Sequence, residues 1–150
     1  MNFKAFFNYL SYLQYPLMLI ATYFAFSPYL SGWEHLKQHP EVIFESLNQV
    51  LIFMGLGTSF SSLQDTTKTQ NNFSKKVWEN PTKGKITLLI MCIMILTFLT
   101  TGLIGYFKAG DSVLKDLSVG IIVLSLGLLG FLKTAIEMFE YHRKDKVIIS

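Results

Sequence analysis

Ile86–Phe107 reads ITLLIMCIMILTFLTTGLIGYF, a run without a single charge. At about 1.5 Å per residue, such a run reaches across a hydrocarbon core of about 30 Å as a single helix. It sets the class of the whole chain as an all-α integral membrane protein, and the flanking segments repeat the pattern. Towards the C terminus, Lys108–Asp116 is a short polar connection and Leu117–Leu132 is a second uncharged core. That core is short for a crossing. Lys115 and Lys133 can snorkel at its two ends and extend the span to about 114–134. The helix is expected to run on through Glu137 to about His142, out of the membrane. The stretch 135–150 is then a helical extension followed by a tail, Arg143–Ser150, that is basic and then apolar.

Towards the N terminus, Ser61–Lys85 is a polar loop with Lys68, Lys75, Lys76, Lys83 and Lys85. Before it lies Val42–Phe60, the most polar of the apolar stretches, and before that Ala5–Phe26. Ala5–Phe26 is too long for the apolar region of a signal peptide and has no convincing cleavage site, so it reads as a retained first span. Pro16 has no N–H to give, so the carbonyl of Tyr12 loses its helical partner and a kink is expected there. Between these two stretches, Ser27–Glu41 is a loop holding Pro28, Gly32 and Pro40, with a short helical piece around Glu34–Gln38.

The bulk numbers agree. With 150 residues there is room for one domain. Hydrophobic residues make up 51% and charged residues 15%, against about 25% charged in a typical soluble domain. The net charge of +3 is modest, and the basic residues sit beside the apolar runs rather than in a basic domain, which argues against nucleic acid as a partner. Cys92 is the single cysteine, so a cysteine pair, a CxxC or a zinc pattern within one chain is excluded.

The expected fold is an antiparallel up-down bundle of four transmembrane helices with spans near 5–26, 42–60, 86–107 and 114–134. Lysine and arginine in short loops mark the cytoplasmic side. The loop 61–85 carries five lysines, the C-terminal end carries Lys133, Arg143, Lys144 and Lys146, and the N terminus carries Lys4. The other two connections hold only Lys37, Lys108 and Lys115. Four spans with both termini cytoplasmic collect all the rich segments on one side. The residue usage, rich in Lys, Asn, Ile and Phe, suits a bacterial inner membrane protein.

A few polar residues need explaining. Glu45, Asn48 and Gln49 are spaced by three and four residues on one helical face of the second span. A carboxylate in a span is costly and can bind a cation or carry a proton. It also sits near the start of its helix, where it reaches water and favours the helix dipole. Asn8 and Gln14, with Ser11 and Tyr15, mark a similar face of the first span. Antiparallel pairing sets Asn8 at the depth of Ser59 and Ser62, and Gln14 or Tyr15 nearer Gly55. Small residues let helix backbones approach closely in lipid, so Gly55, Ser59, Gly102, Gly105, Gly120, Gly127 and Gly130 read as helix-packing positions. Gly120, Gly127 and Thr134 recur every seven residues. Lys75, Lys76 and Trp78 form a short amphipathic stretch suited to the membrane surface, with Trp78 at the headgroup level.

His35 and His39 are four apart beside Glu34 and Glu41, but no third metal ligand is evident, so no metal is expected. No span holds a histidine, which argues against a bis-histidine haem, and no other cofactor is indicated. No catalytic constellation is visible. The expected function is that of a small multi-pass membrane protein acting as a non-catalytic subunit or scaffold of a membrane complex. Its partners would be the lipid bilayer and a protein partner or further copies of the chain. The alternative is a small oligomeric channel or transporter using the Glu45 face.

Overall fold

The computed structural model describes residues 3–30, 32–67, 72–110 and 112–145. Lys68, Lys146 and the apolar end of the tail lie outside these residues, as does the side chain of Phe73. Every described element is helical: α1 (Phe3–Leu10), a 3₁₀ turn (Ser11–Leu13), α2 (Gln14–Leu30), α3 (Trp33–Gln38), α4 (Glu41–Ser61), α5 (Asn72–Trp78), α6 (Pro81–Lys108) and α7 (Val113–His142). Three of them, α4, α6 and α7, are long and apolar enough to cross a membrane.

Local chemistry accounts for the helix boundaries. Asn80 opens α6, its Oδ1 accepting the N–H groups of Thr82 (3.0 Å) and Lys83 (3.1 Å), with Pro81 in the first turn where its missing N–H costs nothing. Gly110 (φ +60°) follows the end of α6, and Gly32 (φ +89°) separates α2 from α3. Both hold a left-handed backbone that a side chain would strain. The N-terminal helical segment is interrupted by the 3₁₀ turn at Ser11–Leu13, just before Pro16. The tightened turn sits where proline removes a helical hydrogen bond. The interruption leaves α2 with 17 residues. α7 has 30 residues, about 45 Å at 1.5 Å per residue, so it extends well past a hydrocarbon core.

Directions follow from the contacts. On α2 and α4, Phe24 stacks on Phe53 (centroids 5.6 Å apart) while the earlier Met18 faces the later Gly57, so the two helices are antiparallel. On α6 and α7, Gly84 meets Phe139 and Gly105 meets Ser118, again antiparallel. On α4 and α7 the pairs are Asn48 with Gly120 and Ser62 with Thr134, both separated by 72 residues, so these helices run parallel.

The helices therefore pack in the order α2–α4–α7–α6. In an up-down ring of four, the second and fourth helices run parallel and sit diagonally across the core. Here they are adjacent, with the most extensive contact in the molecule. Among the described residues, α2 has no comparable packing with α6, nor α4 with α6. The arrangement is an open row rather than the closed ring expected of an up-down bundle. The physical reason lies in the glycine faces of α4 and α7, described below, which draw these two helices together.

A row has more outside than a ring. Much apolar surface among the described residues is exposed, including Ile86, Leu89, Ile90 and Ile93 on α6 and Leu19 and Phe26 on α2. Such surface is at home against lipid tails. The buried interior is thin and built largely of small groups. Ser125 and Ser118 are buried on α7, and each hydroxyl donates to a carbonyl of its own helix at 2.7 Å, so burial leaves neither unsatisfied.

Candidate functional site

The polar groups within the row concentrate on the α4–α7 seam. Three layers, each seven residues on from the last, match across it: Asn48 with Gly120, Gly55 with Gly127, Ser62 with Thr134. A sustained seven-residue repeat keeps one stripe facing its partner when two helices wind around each other left-handedly. In the first layer, Asn48 Oδ1 accepts the Gly120 backbone N–H at 3.0 Å. In the middle layer the helices touch backbone to backbone. A Cβ added at Gly127 would collide with the Gly55 carbonyl oxygen, and one added at Gly55 would lie 2.7 Å from the Val123 carbonyl. In the last layer the Thr134 hydroxyl donates to the Ser62 carbonyl at 2.8 Å. Interhelical hydrogen bonds of this kind contribute about 0.6 kcal/mol each in membranes. The close approach, with its many dispersion contacts, is the larger element of the seam.

The Glu45–Asn48–Gln49 face divides. Asn48 turns to α7, Gln49 is half-buried, and Glu45 is exposed with no ion pair among the described residues. On the N-terminal segment, Asn8 Oδ1 accepts the Asp65 N–H at 3.4 Å rather than meeting Ser59 or Ser62, and Gln14 is half-buried. Gly55 faces α7, whereas Gly57 is the glycine that receives α2 through Met18. Ser59 donates to the Gly55 carbonyl at 2.9 Å within α4. Gly130 lies over Ser62, Gly102 receives Ile122 and Gly105 receives Ser118, so each of these glycines admits an opposing helix.

The end of the molecule holding Lys4, the α4–α6 connection and the end of α7 carries a network of ion pairs. Lys4 pairs with Asp65 at 3.5 Å, and Lys133 with Glu137 within α7. Glu79 takes Lys144 at 2.6 Å and Lys75 at 3.9 Å, and its carbonyl accepts the Lys144 N–H at 3.2 Å. The chain beyond α7 is thereby clasped to the corner between α5 and α6. The Lys144 ammonium holds the Glu79 carboxyl below the usual carboxylate range. Asp65 is held low too, chiefly by hydrogen bonds from the Thr67 hydroxyl (2.8 Å) and backbone N–H (3.1 Å), with Lys4 adding to them.

Trp78, expected at the headgroup level, is packed inside the molecule against α7. It is 8% exposed and packs with Ala135 and Phe139 of α7, flanked by Leu88, Met91 and Met138. Lys75 and Lys76 of the same short helix are exposed. A half-open cavity of about 160 Å³ lies beside the tryptophan, lined by Gln64, Ser74, Phe131 and Thr134 among others. At the opposite end, the rings of His35 and His39 are 4.9 Å apart and His39 Nδ1 lies 3.1 Å from Glu41 Oε1. No group of three or more His, Cys, Asp or Glu able to hold a metal occurs among the described residues.

Comparison of the chain with protein-family models, with curated proteins and with solved structures finds no match. Sequence reasoning missed Ser62 as a partner of α7, and it missed Asp65 and Glu79. Asn48, Gly55 and Ser62 repeat the seven-residue spacing of Gly120, Gly127 and Thr134, a signal that marks Ser62 as a contact position without naming α7 as its partner. Asp65 and Glu79 have local partners in Thr67 and Lys75, but the partners that tie segments together, Lys4 and Lys144, are distant in sequence, and no local pattern announces them.

Proposed function

We propose that this chain is a four-span bacterial inner-membrane protein acting as a non-catalytic subunit or scaffold of a membrane complex. The fourth crossing would be the kinked N-terminal segment 3–30, which is long enough even with the 3₁₀ turn. The lysine- and arginine-rich end would face the cytoplasm and carry both termini. The observation that carries the reading is the Gly55–Gly127 contact. Helices touching there backbone to backbone leave no room for a polar path between them, while the open row offers broad apolar faces to neighbours. Native co-purification in mild detergent tests this. Discrete co-purifying membrane proteins are expected, and a chain that always emerges alone or only with itself would count against it.

A second reading is favoured by Glu45, an exposed carboxylate without an ion pair among the described residues. Several copies could set it along a shared path as a channel or transporter. Ion flux in liposomes with Glu45 intact and with Glu45→Gln decides this. Flux abolished by the substitution would establish the second reading, and flux no greater than in empty liposomes would remove it.

A further inference from the structure

At the basic end, most cations are already neutralised. Lys4, Lys75, Lys133, Arg143 and Lys144 all have carboxylate partners. Lys76, Lys83 and Lys85 have none among the described residues, and all three are exposed. Of these, Lys76 and Lys83 line one open groove of about 380 Å³ in the corner between α5 and α6, together with Val77, Ile86 and Thr87. Thr87 adds a hydroxyl to the same groove. The hydroxyls of Thr22, Thr58, Thr97 and Thr100 donate to a carbonyl of their own helix, whereas among the described residues those of Thr87 and Thr101 do not. The Thr87 hydroxyl makes no hydrogen bond among the described residues, so it remains able to donate to a ligand.

The groove continues in one direction only. Lys83, Ile86, Ile90 and Ile93 are spaced three, four and three residues apart, so they share a face of α6. Ile86, Ile90 and Ile93 are 53–59% exposed along it. Two ammonium groups and a hydroxyl thus cap an apolar track running down a helix that is long and apolar enough to cross a membrane.

We infer that the α5–α6 corner binds the headgroup of one anionic phospholipid, with Lys76, Lys83 and Thr87 on the phosphate and an acyl chain lying along Ile86, Ile90 and Ile93. The charge supplies the anion preference, and the apolar track separates a lipid from free phosphate. The inference rests on α6 lying in a bilayer and not on the subunit reading.

Native mass spectrometry of the full chain in mild detergent tests it by titration with phosphatidylglycerol, phosphatidylcholine or inorganic phosphate. A first phosphatidylglycerol is expected to bind about tenfold more tightly than phosphatidylcholine, in keeping with the attraction of anionic lipid for basic side chains at the surface. The doubly substituted Lys76→Gln, Lys83→Gln chain is expected to lose that preference, and Thr87→Val part of it. Lys75→Gln, which alters a cation already paired, and Lys85→Gln, which alters an unpaired one outside the groove, keep it. Equal binding of the two lipids would overturn the inference and leave the membrane reading standing. Binding of neither would overturn both. Inorganic phosphate displacing the lipid at equal concentration would remove the acyl track from the site. Loss of preference in either control to the same degree would reduce the site to diffuse surface charge and overturn it too.

Discussion

α7 packs against two long helices, and it meets them by opposite means. Against α4 it runs parallel, and at the centre of the seam glycine faces glycine, with no side chain between the backbones. Against α6 it runs antiparallel, and the α6 glycines open hollows chiefly for α7 side chains: Phe139 at Gly84, Ile121 and Ile122 at Gly102, Ser118 at Gly105. The first contact is a fit of main chain to main chain, which cannot yield locally. The second is a fit of knob to hollow, in which a side chain has somewhere to go. Residue type alone does not distinguish them, and the partner's identity decides how much an added methyl group costs.

The sharpest way to break that contrast is at Gly127. Gly127→Leu would drive a branched side chain into the Gly55 carbonyl and the Thr58 hydroxyl. A loss of about 3 kcal/mol or more is expected, at the top of the overpacking range, with a matching fall in unfolding midpoint in detergent. If the midpoint moves by less than at Gly84, the seam is softer than its geometry. Gly84→Ala comes next. Its Cβ meets the Phe139 ring, which is 3% exposed against Trp78, so about 1–2 kcal/mol is expected. The emission of Trp78 should shift to the red as the cluster loosens, which is best read in a chain carrying Trp33→Phe.

Smaller still is Asn48→Ala. It removes one hydrogen bond of the seam and leaves the glycine contact intact, so about 0.6 kcal/mol is expected by the same unfolding assay. A loss several times larger would show that Asn48, rather than the glycines, sets the register of the two helices. The last effect depends on pH. Glu79 is held below the ordinary carboxylate value, so its pairing with Lys144 stabilises the folded chain above that value. The contribution fades as pH falls through the lowered folded one. Acidification from neutral pH should therefore release the segment after α7, read as a loss of hydrogen-exchange protection at the Lys144 amide relative to the intrinsic rate at each pH. Glu79→Gln should show little protection at every pH. Protection of Lys144 unchanged by acid would separate the clasp from the charge of Glu79.

How much of this was readable beforehand follows from the kind of signal involved. The helices α6 and α7 announce themselves because long runs without charge have few other stable forms, while α4, with Glu45 inside its apolar stretch, is the least plain of the three. The 3₁₀ turn falls near Pro16, where a missing N–H can be read directly. The glycines were readable as contact points, and the recurrence of Gly120, Gly127 and Thr134 was visible along α7. Their partners were not, because a seven-residue spacing states a period without naming the helix that shares it. The open row was hidden for the same reason, since nothing in the sequence says that α4 takes α7 rather than α6 as its second neighbour. Glu45, Asn48 and Gln49 share a face by spacing alone. The structure separates them, because a contact with α7 takes up Asn48 and leaves Glu45 outside.

The parallel seam also has a consequence in time. Its two halves are separated by 72 residues, and α6 is made between them. At about 5–20 residues per second, roughly 4–14 seconds pass between synthesis of a glycine on α4 and synthesis of its counterpart on α7. Until then the Gly55 face of α4 has no α7 to close it, and α6 must enter first and then leave that face free. For those seconds the narrowest contact in the finished molecule is an open groove in a half-made one, and whatever guards a nascent membrane chain has its work there.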